Sequence, residues 1–141
     1  MIFDSIEEQI LYHEGEKLKP YKDSLGIWTI GVGHNLDNGI SKAASKFIFH
    51  EDLKESIDWL VAFFGPHFWS SISEGRRRAL IDLRFNLGAN KFKLFKRLIV
   101  AVKTHQWYMA AYELTDSLWW QQVQEDRRDL LYHQLKTGEI S

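Results

Sequence analysis

Three side chains near the start of the chain have the types that acid–base chemistry uses: Glu14, Asp23 and Thr29. The local pattern predicts Glu14 at the end of a helix, Asp23 in a tight turn and Thr29 on the strand that leaves that turn. Cleavage of a glycosidic bond calls for this equipment: a protonated acid for the leaving oxygen and a second group acting at the anomeric carbon. An acid that stays protonated near neutral pH needs surroundings that raise its pKa. A helix C-terminus tucked against a sheet supplies them, because the dipole there disfavours negative charge. Two acids nine positions apart are also what a solvated surface carries, so spacing alone does not assign the chemistry.

The elements that must position these groups follow from punctuation and periodicity. Ser5-Ile6-Glu7-Glu8 is a capping box, apolar Ile6, Ile10 and Leu11 follow at helical spacing, and Gly15 supplies the stop, predicting a helix from Ser5 to His13 or Glu14. Pro20, Gly26, Gly31 and Gly33 then forbid a helix. Ile27 to Val32 reads as a strand opposite Leu18 to Tyr21, with Asp23-Ser24-Leu25-Gly26 as the turn. Residues 35–39 read as a polar loop. A long helix begins after Ser41 and ends at Gly65-Pro66, and helices are predicted over 74–87, 92–104, 106–114 and 124–136. No repeat, low-complexity tract or linker interrupts the chain.

The whole composition is that of a soluble globular protein: 141 residues, 45% hydrophobic and 26% charged. That length suits one domain with a sizeable core. A formal net charge of −1 lacks the basic footprint of general phosphate-backbone binding, and also the basic surface that would help a protein find an anionic envelope. The absence of cysteine excludes a disulfide framework, thiolate chemistry and cysteine–zinc sites. The N-terminus carries no basic region followed by a long apolar stretch, so no signal peptide is expected. The longest apolar run, Leu60 to Phe64, is far shorter than the ~20 residues that span a bilayer.

Glu14-Gly15-x-x-Leu18-x-x-Tyr21-x-Asp23-x-x-Gly26-x-x-Thr29-Ile30-Gly31-x-Gly33-His34 resembles the active-site signature of the phage-type lysozymes, glycoside hydrolase family 24. The resemblance extends over nearly the full chain. Arg78 to Gly88 is similar to the family's buried helix, with Asn86 facing the cleft, and Trp119-Trp120, Arg127 and Thr137-Gly138 are similar to its C-terminal helices. It implies a mainly helical α+β, lysozyme-like fold: one domain over 1–141, with a small β-containing lobe about 15–50 and a helical remainder on which the N-terminal helix packs. It implies a muramidase cutting the β-1,4 bond between N-acetylmuramic acid and N-acetylglucosamine in peptidoglycan, with inversion at the anomeric carbon. Glu14 is then the general acid, and Asp23 and Thr29 position and activate the water. Gly33, His34, Asn86 and Arg127 are substrate-binding or supporting residues, Arg127 as partner of the catalytic glutamate. No cofactor, metal, nucleic acid or membrane insertion is implied. The expected state is a monomer, made in the bacterial cytoplasm and reaching the wall by another route. Between His34 and Ser41 the chain is shorter than longer family members, which predicts a reduced small lobe.

Other readings are weaker. Gly31-Val32-Gly33 would need a further glycine at Leu36 to make a dinucleotide loop, and His13-Glu14 would need a second histidine at Lys17 to make a zinc-protease helix. Arg76-Arg77-Arg78 reads as a solvated helix face, and His34 as a structural residue or a substrate contact. Of the adjacent Trp119 and Trp120, one is expected to be buried and the other partly exposed. A catalytically inactive module of the same fold, binding glycan or protein, is the alternative function; retention of Glu14, Asp23 and Thr29 together argues against it.

Overall fold

The computed structural model describes residues 2–141. Its element order is α1 (Ile6–Glu14), β1 (Lys17–Lys22), β2 (Trp28–Gly31), β3 (His34–Asn35), a 3-10 turn (Leu36–Asn38), α2 (Lys42–Phe64), α3 (Pro66–Ser71), α4 (Glu74–Leu87), α5 (Ala89–Phe92), α6 (Lys96–Lys103), α7 (Trp107–Thr115), α8 (Leu118–Gln122) and α9 (Glu125–Thr137). This is the mainly helical α+β, lysozyme-like architecture that the sequence implies. The chain groups into two compact units that divide after Phe47, within α2. No helix among the described residues is long and apolar enough to cross a membrane.

The first unit contains α1 and the sheet. α1 begins where expected: the Ser5 hydroxyl accepts from the Glu8 amide at 3.1 Å. The Glu8 carboxylate reaches back one residue further than a standard capping box, accepting from the Asp4 amide at 3.1 Å. At the other end the Gly15 amide closes the helix onto the Leu11 carbonyl at 2.8 Å. The three strands form an antiparallel sheet in the order β1-β2-β3, so β2 is central. Its Thr29 stands between Tyr21 on one neighbour and Asn35 on the other. Pro20 has no N–H to give to a ladder, and the β1–β2 register shifts between Lys17 and Tyr21, on an edge strand where that loss is tolerated. The loop expected over 35–39 is ordered instead: Asn35 belongs to β3, and its side chain accepts from the Asp37 amide at 2.8 Å to start the 3-10 turn.

The second unit holds the apolar core, in which Leu60, Leu80, Leu83, Phe92, Leu98, Val102, Leu114, Leu131 and Leu135 are fully buried. α4 starts on the Ser73 hydroxyl and ends at Gly88, with the bounds its sequence predicts. The helix expected over 92–104 starts only at Lys96, because Phe92 ends the short α5 and is drawn into the core, and Lys93 to Phe95 turn between α5 and α6. α3 and α8 lie outside the predicted helices; each is short and has no repeated apolar stripe to announce it. Trp119 is buried and Trp120 half-buried, as adjacent helix positions require.

The arginine run departs from a purely solvated face. Arg76 donates to the carbonyls of Leu135 and Lys136 at 3.0 and 3.1 Å, and Arg77 to that of Ile72 at 2.7 Å. Only Arg78 is exposed; with Arg77 it pairs Glu74. Last-turn carbonyls have no partner within their own helix, and Arg76 satisfies those of α9 from a distance of 60 positions in sequence. The same crossing explains Gly75: a Cβ there would stand 2.2 Å from the Glu139 carbonyl oxygen.

Candidate functional site

Glu14 is the last residue of α1, so its side chain leaves the helix where the chain turns into β1. Its carboxyl lies against the backbone of Gly33, in the turn between β2 and β3: a Cβ built on Gly33 would be 2.7 Å from Glu14 Oε2 and 2.9 Å from its Cδ. Gly33 also has φ +65°, a conformation that L side chains rarely adopt. Two independent constraints therefore require glycine at this position, close approach and backbone conformation.

Asp23 follows directly on β1 and organises the turn into β2. Its Oδ1 accepts from the amides of Leu25 at 2.8 Å and Ile27 at 2.9 Å, and its own amide donates to the Ile27 carbonyl at 2.9 Å. This is an aspartate mimicking a backbone turn. Its Oδ2 has no hydrogen-bond partner among the described residues. Thr29 is the one buried residue among those described in the first unit, at 4% exposure. Its hydroxyl donates to the Ile27 carbonyl at 2.9 Å. The donor is therefore committed, and what the hydroxyl oxygen retains is acceptor capacity.

Asp23 and Thr29 are thus tied to the same residue, Ile27, the first through its amide and the second through its carbonyl. Sequence reasoning did not find Ile27, because any residue type offers those two backbone groups. Carboxylate and hydroxyl are thus each fixed to the backbone of one residue, with few free rotations between them. His34 lies on β3, where Nε2 is 2.7 Å from the Gly39 carbonyl oxygen. That contact closes the loop before α2 and is a structural one.

The two remaining candidates belong to the second unit. Asn86, exposed near the end of α4, accepts from the Trp119 indole N–H at 2.8 Å. Arg127, on α9, donates through Nε to Asp82 Oδ1 at 2.6 Å and through Nη2 to the Asp82 carbonyl at 3.4 Å. Asp82, like Trp119, is a partner that spacing along the chain does not reveal, since α4 and α9 meet only in the folded unit. Among the described residues, no cluster of three or more His, Asp or Glu is arranged to hold a metal ion.

Comparison with known proteins adds a family match. A family model described as Phage lysozyme matches residues 12–133. The chain is 27% identical over 143 aligned positions to Probable T4-type lysozyme 2 of Dictyostelium discoideum, covering 82% of this chain and 84% of that protein. To Probable T4-type lysozyme 1 of the same organism it is 26% identical over 167 positions, covering 97% and 96%. An Endolysin of Salmonella phage P22 is 36% identical over 86 positions, covering 56% and 58%. All seven candidate site residues fall within the matched range 12–133.

Proposed function

This chain belongs to the phage lysozyme family, and on that premise we propose that it is a glycoside hydrolase acting on peptidoglycan, a muramidase with Glu14 as its acid. The bond cut is the β-1,4 link between N-acetylmuramic acid and N-acetylglucosamine. Glu14 gives its proton to the glycosidic oxygen as the bond to the anomeric carbon breaks. A water attacks that carbon from the opposite face. Thr29 Oγ accepts a hydrogen bond from this water and aims it, while Asp23 takes its proton through the carboxylate oxygen that the turn leaves uncommitted. Proton exchange with solvent then restores a protonated Glu14 and an ionised Asp23.

The observation that carries this reading is the common anchor at Ile27. It leaves one carboxylate oxygen of Asp23 and the acceptor side of the Thr29 hydroxyl as the unused groups of a rigid turn. Attack by water inverts the anomeric configuration, and it needs a carboxyl separation of roughly 6.5–9.5 Å, against about 5–5.5 Å for a covalent route. Gly33 and His34 support the acid and the loop beside it, and Asn86 and Arg127 support the helical unit. The substrate class is a cell-wall glycan, so the wall is the place of action.

The test is clearing of outer-membrane-permeabilised Gram-negative cells, with the product anomer followed by NMR. Wild type should clear and release the α-anomer first, and Glu14→Gln should fold but not clear, because an amide cannot donate the required proton. Clearing by a folded Glu14→Gln variant, or an initial β-anomer from wild type, would overturn the respective part of this mechanism.

A further inference from the structure

The second unit carries a concave site that the proposed reaction does not use, a cavity of about 740 Å³ lined by Arg76, His105, Trp107, Tyr108, Met109 and Lys136 among others. Two cations border it. The Arg76 guanidinium lies 4.3 Å over the Trp107 ring and is fixed by its bonds to the Leu135 and Lys136 carbonyls. The Lys136 ammonium is 5.5 Å from the ring centres of both Tyr108 and Tyr132. Neither cation joins an ion pair among the described residues.

We propose that this cavity binds an anionic sugar, its ring against Tyr108 and Trp107 and its carboxylate or phosphate between Arg76 and Lys136. Capping of α9 accounts for the anchoring of Arg76. It does not account for a second cation that joins no ion pair among the described residues, nor for Tyr108, which lines the cavity and is 73% exposed. Aromatic faces offer a sugar ring a flat apolar surface, and charge-assisted bonds hold its anion. Arg76 is already immobilised, so binding loses little of its rotamer freedom. In a chain of net charge −1, this is a local attraction for a single anion and not a general polyanion track. Its use, retention of the enzyme on an anionic envelope glycan, rests on the lysozyme reading; the binding itself does not.

The test is an NMR titration of the full chain with N-acetylmuramic acid, glucose 6-phosphate and glucose. At least one of the anionic sugars should give saturable shifts at the Trp107 indole and the Tyr108 and Lys136 amides, and glucose should not. A response to the first alone identifies a wall carboxylate as the ligand, and to the second alone a polymer phosphate. Combining Tyr108→Ala with Lys136→Glu should weaken that binding on the order of tenfold, and leave turnover of a short soluble glycan unchanged. No local shift with either anion, an equal response to glucose, or undiminished affinity in the double variant overturns the proposal. A wild-type protein that shows these shifts but cleaves no glycan would instead refute the lysozyme reading and leave this site standing.

Discussion

The Glu14 carboxylate occupies the space in which a side chain on residue 33 would begin, with Oε2 2.7 Å from an ideal Cβ there. Gly33→Ala must therefore push the acid out of place as well as strain its own backbone. Gly39 separates the two effects, since it has φ +68° but nothing within 4 Å of its Cβ position. Both alanine variants should lose about 1–3 kcal/mol of stability from positive-φ conformations that L side chains rarely adopt. Only Gly33→Ala should also lose activity, on the order of 100-fold for displacement of the acid in the proposed mechanism. Thermal melts and lysis rates measured side by side decide it, and equal activity in the two variants would show that the contact with Glu14 does not matter.

Asp23 has a structural task in its turn and a chemical one in the proposed mechanism, and one substitution can divide them. The amide oxygen introduced by Asp23→Asn can still accept from the Leu25 and Ile27 amides, so this variant should keep the turn and its stability. It cannot take a proton, and the rate should fall by about 10²–10⁴. Thr29→Val removes both the oxygen proposed to aim the water and the donor to the Ile27 carbonyl, so it should lower rate and stability together. Circular dichroism melts paired with reducing-end release distinguish these patterns.

The Arg127–Asp82 pair is about one-third exposed on each side, so it should contribute about 0.5–1 kcal/mol. A double-mutant cycle of Arg127→Ala and Asp82→Asn reads that coupling in urea unfolding. Coupling near zero would show that the bond seen between α4 and α9 adds nothing to stability.

Glu74 gives a pH dependence of known sign. Hydrogen bonds from Arg77 and then Arg78 hold its carboxyl below the ordinary value of 4.5. A depressed carboxyl pKa in the folded state contributes stability above the unfolded value and loses it as pH falls through the folded one. Wild type should therefore lose a small increment of stability on acidification below 4.5 that Glu74→Gln does not lose. The increment is small because the Glu74 side chain is half exposed. Parallel melts of the two proteins across that range measure it, and identical acid profiles would remove Arg77 and Arg78 as its cause.

Much of this was legible in residues near one another in the chain. The Ser5 cap, the Asp23-Ser24-Leu25-Gly26 turn, the start of α4 at Ser73 and its end at Gly88 depend on hydrogen bonds spanning a few positions, so composition and spacing determine them. The signature from Glu14 to His34 is legible for the same reason: helix end, turn and hairpin are consecutive. What only the tertiary structure decided are pairings whose members are far apart in sequence. Trp119 meets Asn86, Arg127 meets Asp82, and Arg76 finds the end of α9, which turns an apparent surface cation into a cap. Gly75 reads as a weak residue inside a helix until the chain at Glu139 is seen to cross it. Side-chain type states what each of these groups can bond. Which partner it receives depends on how buried helix faces pack, and packing joins residues by shape and volume, properties that their order along the chain does not record.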